Sequence, residues 1–337
     1  MIALQRLMTW LLKTVRQLTL NLFWLALWLF SLGVLTTYLL RWWPGDRLLP
    51  VRLMNYAMAW LLLALAPGFL IALVARRRWL AFSLAVPTLL IGLNYAPLFM
   101  PRSSVVLASA EPIRLMSYNV WGGNRDADRI AAVIKKQQPD LLLLQELDSS
   151  LADRLLPALA DLYPEDHLYV AYVPRLEQAV LSRYRLTPLD SSRKKGKAQK
   201  VLVETPDGSI TVWNVHTTSF RGWRWRHNEV ARLISEDIAT AEGPLILGGD
   251  FNTTDQTQTY RLIDHYLDNA HWEAGWGFGF SFPSPNRPIR GDLAVPSLVR
   301  IDHIFYSHHF LARSAATLSD SGGSDHLPIV ATLRRVQ

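Results

Sequence analysis

Three long apolar stretches, Leu18–Leu40, Leu53–Val74 and Trp79–Met100, contain no Asp, Glu, Lys or Arg. Each is close to the ~20 residues that a helix needs to cross a bilayer core ~30 Å thick. No feature constrains the fold more, because an uncharged helix of that length has few places to bury itself other than lipid. Trp42, Trp43 and Trp79 stand at run ends, where indoles favour the headgroup zone. Pro87 and Pro97 fall in the third run and predict a kink or a partly re-entrant course. A bundle of buried soluble helices would need a larger protein around it. A cleaved signal peptide would be shorter and would carry small residues at its end.

Half of the 337 residues are hydrophobic, which excludes a disordered chain, and the absence of cysteine excludes a disulfide scaffold or a thiolate metal site. The formal charge of +7 and the pI near 9.7 invite a nucleic-acid reading until the charges are located. Residues 1–110 hold ten Arg/Lys against one acid, Asp46, a net of +9; residues 111–337 hold 25 Arg/Lys against 27 acids, a net of −2. The positive charge is therefore a topology signal. Arg6, Lys13 and Arg16 precede the first run and Arg76–Arg78 separate the second from the third. By the positive-inside rule both groups lie on the cytoplasmic side, although Arg41, Arg47 and Arg52 in the first loop act against this. Three spans then place the remainder beyond an inner (plasma) membrane, on the periplasmic side. Residues 1–16 read as an amphipathic helix lying along the inner surface.

Residues 1–100 thus read as a membrane anchor, 101–111 as a linker, and 112–337 as a separate domain. There the pattern becomes short strands alternating with helices, with strands expected at 113–120, 140–145, 178–182, 200–204, 210–216, 244–248, 299–306 and 328–333, and helices at 127–136 and 225–239.

Polar residues of one kind close these strands. Asn119 ends the first, Glu146 follows four leucines and a glutamine, and His216 ends Val-Trp-Asn-Val-His. Asp250 and Asn252 follow a buried run in Gly-Gly-Asp-Phe-Asn, Asp302 lies in Arg-Ile-Asp-His, and Asp325-His326 in Gly-Ser-Asp-His-Leu-Pro. Singly, each has an ordinary structural reading: a solvated loop glutamate, an Asx turn, a core histidine, an ion-pair partner. Together, at the strand ends of an α/β protein, they mark the place where ligands collect.

These motifs carry a resemblance. Residues 112–337 resemble the endonuclease/exonuclease/phosphatase superfamily, the DNase-I-like fold, at Ser117–Val120, Gln145-Glu146, Ala179–Tyr184, Asn214–His216, Gly248–Asn252, Arg300–His303 and Gly323–Pro328. Val215 and Thr217 replace the small residue and the leucine usual around that first histidine. The resemblance does not extend to residues 1–110. It implies a four-layer α/β/β/α sandwich, here preceded by three transmembrane helices, and metal-dependent phosphoester cleavage.

On that reading Glu146, with Asn119 and Asp325, would hold Mg²⁺ (Mn²⁺ as an alternative), which takes oxygen ligands and keeps several waters. Asp250 would activate water, Asn252 would hold the phosphate or that water, and His216 would contact phosphate oxygens. Asp302 would orient His326, itself a phosphate contact or a base. The expected partners are the bilayer and a phosphoester substrate. A phospholipid-type diester is favoured by tethering and by the aromatic segments around Trp223–Trp225 and Trp272–Phe282; a nuclease role is favoured by the basic cluster Arg193–Lys200. A non-catalytic module binding a phosphorylated ligand is the third reading.

Overall fold

Nothing in the first 32 residues breaks a helix, since neither Pro nor Gly occurs before Gly33. The computed structural model accordingly has one unbroken helix, α1 (Ile2–Leu40), with no separate surface-lying segment over residues 1–16. At 1.5 Å per residue its 39 residues extend ~58 Å, about twice the hydrocarbon thickness. Helices α2 (Leu49–Val74) and α3 (Arg78–Tyr95) follow. All three are long and apolar enough to cross a membrane. Helix α3 runs through Pro87 and ends in a single 3-10 turn, Ala96–Phe99, around Pro97. Proline has no N–H for the carbonyl four residues back. That carbonyl, of Ser83, accepts a hydrogen bond from Ser31 Oγ of α1 at 2.7 Å, so the break in the ladder is repaired between helices, as an apolar surrounding requires.

The structure describes residues 2–100, 111–164, 168–219, 222–287 and 294–336, so the expected linker, apart from its last residue, lies outside the described residues. The chain divides into two compact units, Met1–Ala96 and Pro97–Gln337. The second contains strands β1 (Ile113–Asn119), β2 (Leu141–Gln145), β3 (Val170–Val173), β4 (Gln178–Ser182), β5 (Arg185–Pro188), β6 (Gln199–Thr205), β7 (Gly208–His216), β8 (Leu245–Asp250), β9 (Asp268–Asn269), β10 (Asp302–Tyr306), β11 (Phe310–Thr317) and β12 (Ile329–Arg335). Its helices are α4 (Ala127–Gln137), α5 (Ser149–Ala158), α6 (Trp223–Leu233), α7 (Gln258–Asp264) and α8 (Ala270–Ala274). The helix expected over 225–239 is α6 continued by one π-turn, Ile234–Ile238.

Two mixed six-stranded sheets form, in the orders β11-β12-β1-β2-β4-β3 and β5-β6-β7-β8-β10-β9. The four consecutive leucines of β2 are buried on both faces. Leu141 and Leu143 point into the core between the sheets with Val180, Val201, Val212, Ile246 and Ile304. Leu142 and Leu144 point outward against Ile130 and Ile134 of α4 and Leu151 and Leu155 of α5. On the other side Val230 and Leu233 of α6 and Tyr260 and Ile263 of α7 cover Trp213, Leu247 and Phe305. These three cores make four layers, as the sequence implied.

At one end the sheets are joined by buried amides. Asn214 of β7 donates through Nδ2 to the carbonyls of Leu144 (2.8 Å) and Ala179 (3.1 Å), the last paired residues of the β2–β4 ladder in the other sheet. Gln145 Nε2 donates to Asn214 Oδ1 (2.7 Å), and Gln178 Nε2 to the Asn214 carbonyl (3.2 Å). Asn214, Gln145 and Gln178 are wholly buried. Such groups are costly to bury unless hydrogen-bonded, so this pattern admits one relative placement of the two sheets.

Candidate active site

Strand register alone assembles half of the site. In the second sheet His216 lies opposite Asp250, and Asp250 opposite Asp302, forming one row across three strands. In the first sheet Asn119 lies opposite Gln145, which brings Glu146 to the same end. Gly249 (φ +148°) precedes Asp250, and a Cβ there would fall 1.9 Å from the Val215 carbonyl oxygen, so glycine is what lets β8 approach β7 this closely. Three non-glycine residues around the site adopt left-handed backbone: Trp121 (φ 62°), Glu146 (φ 56°) and Asn252 (φ 49°). Such conformations cost free energy outside Gly and Asn, and here they turn the chain sharply just past β1, β2 and β8.

The carboxylates are held by donors. Glu146 Oε1 accepts from Asn119 Nδ2 (3.1 Å) and Oε2 from the Gly122 N–H (2.9 Å). Asp250 Oδ1 accepts from the Asn252 N–H (2.8 Å), and Oδ2 from Asn119 Nδ2 (3.0 Å). The same Oδ2 lies 3.7 Å from His216 Nε2 and 3.7 Å from His326 Nε2. His216 Nε2 is also 3.7 Å from Glu146 Oε1. Asp302 Oδ2 accepts from Ser281 Oγ (2.6 Å) and pairs with His326 Nδ1 (2.9 Å), so Nε2 is the ring nitrogen left to face Asp250. Ser324 Oγ donates to the Asn119 carbonyl (2.7 Å) and accepts the His326 N–H (3.1 Å), tying that loop to the end of β1.

Electrostatics follow from this packing. Burial alone would push Glu146 up, but His216, the Gly122 N–H and Asn119 together hold it below the usual carboxylate range. Asp250 is raised by burial and by Asp302, against the opposing pull of the two histidines. Burial would lower His326, but Asp302 and Asp250 outweigh it and raise its pKa from 6.5 to about 10. His326 is therefore a cation at neutral pH.

All eight residues singled out in the sequence meet at this end of the sandwich. Glu146, His216 and Asp250 present ligand atoms within 4.8 Å of one another, as do Asp250, Asp302 and His326. The second group is committed internally by the Asp302–His326 hydrogen bond, whereas the first has carboxylate oxygens facing a common space, the donor type that a hard divalent cation takes. Asn119 turns its amide nitrogen, not its oxygen, toward both carboxylates, because its Oδ1 accepts the Trp121 N–H (3.0 Å). Asp325 sits at the outer side of the site, 3.7 Å from Arg287. Asn252 Nδ2 donates to the Thr217 carbonyl (3.0 Å). The sequence did not point to Ser281, Gly122, Ser324 or Trp121. Ser281, Gly122 and Ser324 act through contacts between segments far apart in the chain, and Trp121 through a local one to Asn119; only the motif position of Ser324, one residue before Asp325, offered a signal.

The model of the Endonuclease/Exonuclease/phosphatase family matches residues 116–326, which contain every one of these residues. Among solved structures, a family protein from Bacteroides thetaiotaomicron aligns with TM-score 0.55 at 15% identity, over 68% of this chain and all of that one. One from Bacteroides vulgatus aligns at 0.52 and 20%, over 67% and all of it. A mannosyl-6-phosphatase from Bacteroides thetaiotaomicron aligns at 0.51 and 18%, over 66% and 99%. These likenesses concern the fold. No curated protein matches the sequence.

The His326 cation contributes fully to stability below about pH 6.5 and loses that contribution as pH rises through about 10. In the metal-free protein its imidazole resonances should stay protonated through neutral pH by NMR. Asp302→Asn should lower the titration by about 1–3 pH units. An imidazole that titrates near 6.5 in both proteins would contradict the ion-pair account.

Proposed function

The chain belongs to the endonuclease/exonuclease/phosphatase family, and from that premise we propose that it is a membrane-anchored, divalent-metal-dependent hydrolase that directs water onto a phosphodiester. The observation that carries this reading is the convergence of Asn119, His216 and His326 on one oxygen of Asp250, with the Glu146 carboxylate beside it. Glu146, with Asp250 across from it, would hold Mg²⁺ or Mn²⁺. When bound, the ion would neutralise phosphate charge and stabilise the leaving alkoxide.

The chain's own residues do the rest. Asp250 takes a proton from the attacking water. The Asn252 N–H fixes the orientation of that carboxylate. His326, kept cationic by Asp302, and His216 face the space where negative charge grows on the non-bridging oxygens. Asn119 holds the Glu146 and Asp250 carboxylates against their mutual repulsion. Asp325, on the outer side, would add a further carboxylate charge toward the ion. The assembly of all these groups favours an enzyme over a non-catalytic phosphate-binding module.

For substrate, the observations favour a phospholipid-type diester over nucleic acid. The basic loop is engaged internally: Lys195 pairs with Asp237 and Glu236, Lys200 with Asp237, and Lys197 with Glu177. Arg193 donates to the Arg175 carbonyl. Three acids thus offset three of the five cations, which leaves the loop less charge for a polyanion than its sequence alone suggests. Trp225 and Trp276 are 73% and 65% exposed, and indoles of that kind suit a headgroup interface. The proposed location is the inner membrane, with residues 112–337 on the periplasmic side.

Full-length protein in detergent with Mg²⁺ should hydrolyse bis(p-nitrophenyl) phosphate. Asp250→Asn should lose about 10²–10⁴-fold in kcat, and EDTA should abolish turnover. Activity indifferent to EDTA would overturn the mechanism, and assays on phosphatidylinositol, sphingomyelin, plasmid DNA and RNA decide the substrate class. Because the chain has no cysteine, Lys194→Cys supplies a single thiol at an exposed position. In spheroplasts a membrane-impermeant maleimide should label it. Protection until lysis would place the catalytic unit in the cytoplasm.

A further inference from the structure

A second feature borders the site and belongs to none of the motifs. The guanidinium of Arg287 lies on the Trp121 ring, its carbon 3.2 Å from the ring centroid. Its Nη1 is 3.7 Å from Asp325 Oδ2, beyond hydrogen-bond range. Among the described residues this guanidinium donates no hydrogen bond, although it carries five N–H groups in a planar fork suited to carboxylate or phosphate oxygens. The side chain is 37% exposed and so reaches solvent.

Both partners of the stack are fixed. Trp121 follows Asn119 by two residues, in left-handed backbone, with its N–H on Asn119 Oδ1. The segment before Arg287 is tied to the histidine loop: the Ser284 N–H donates to the Asp325 carbonyl (2.7 Å), and Asn286 Oδ1 accepts the Ser321 N–H (3.1 Å). The Arg287 N–H closes a turn on the Ser284 carbonyl (3.3 Å). The guanidinium is thus held in place by its backbone and by the indole while, among the described residues, its donors make no hydrogen bond.

Charge balance gives the donors a purpose. With Asp302 paired to His326, three carboxylates remain: Glu146, Asp250 and Asp325. One divalent ion leaves them a net negative charge, which opposes an anionic substrate. One further fixed cation at the rim removes that excess.

We propose that Arg287, held flat on Trp121, is a substrate-binding residue that takes an anionic phosphate oxygen entering the site. This rests on the phosphoester reading above, and it assigns specificity by charge: a dianionic monoester gains more from Arg287 than a monoanionic diester. A lysine ammonium has no planar fork to set against the indole in this way.

The test compares Arg287→Ala and Arg287→Lys with wild type in the full-length protein. Steady-state kinetics use bis(p-nitrophenyl) phosphate and p-nitrophenyl phosphate, and calorimetry measures inorganic phosphate binding in the presence of Mg²⁺. Arg287→Ala should raise KM about tenfold or more, with a much smaller fall in kcat, and the effect should be larger on whichever monoester turnover is measurable. Phosphate binding should weaken by a similar factor, and Arg287→Lys should recover part of both. Unchanged KM and unchanged phosphate binding overturn the proposal. So does a fall in melting temperature or in kcat alone, which would confine Arg287 to neutralising Asp325. If wild type hydrolyses neither ester, the phosphoester reading fails by itself, and phosphate binding still decides whether Arg287 recognises the anion.

Discussion

The amide of Asn214 that caps the Leu144 and Ala179 carbonyls is the contact on which the rest of the second unit depends. Glu146 and Asn119 belong to one sheet; His216, Asp250 and Asp302 belong to the other. Apolar packing between sheets tolerates sliding, because leucine and valine contacts have no direction. Hydrogen bonds between wholly buried amides do not, since each displaced partner leaves an unmet polar group in the core. Asn214 lies two residues before His216, and Gln145 immediately before Glu146. The same short segments therefore fix the sheets and present the reactive groups.

A second constraint is electrostatic. Glu146, Asp250, Asp302 and Asp325 share a small space, and like charges there repel. The chain answers with the Gly122 and Asn252 N–H groups, the forked amide of Asn119, and a histidine that Asp302 keeps protonated. Left-handed backbone at Trp121 and Glu146 is the local cost of turning the chain inward at these strand ends. The charge that remains is negative, a field that suits a divalent cation.

Much of this was legible in the sequence. The anchor helices follow from three uncharged runs, and the site from polar residues that close otherwise apolar strands, an arrangement rarely produced by packing alone. The four layers followed from the family motifs. Elements that escaped notice are α5, α7, α8, β3, β5, β9 and β11, most of them short or of mixed exposure. The π-turn that ends α6 has no mark in the residues Ile234–Ile238. The basic loop looked like a phosphate cluster because its acidic partners, Glu177, Glu236 and Asp237, lie on other segments. For the same reason Ser281 and the Arg287–Trp121 stack were invisible: each is a contact between stretches far apart in the chain. Asn119 was found, but the direction of its amide is set by the Trp121 N–H and only the folded site reveals it.

We propose one coupling between fold and site: the buried amides of Gln145 and Asn214, beside Glu146 and His216, place the carboxylates of both sheets around one cation site. It is tested most directly by titrating Mn²⁺, followed by its EPR signal, into full-length wild type, Glu146→Gln and Gln145→Ala. Both variants should bind about 10–100-fold more weakly, with far-UV circular dichroism retained, although Gln145 faces Asn214 rather than the site. Wild-type affinity in Gln145→Ala, with the loss confined to Glu146→Gln, would contradict the claim.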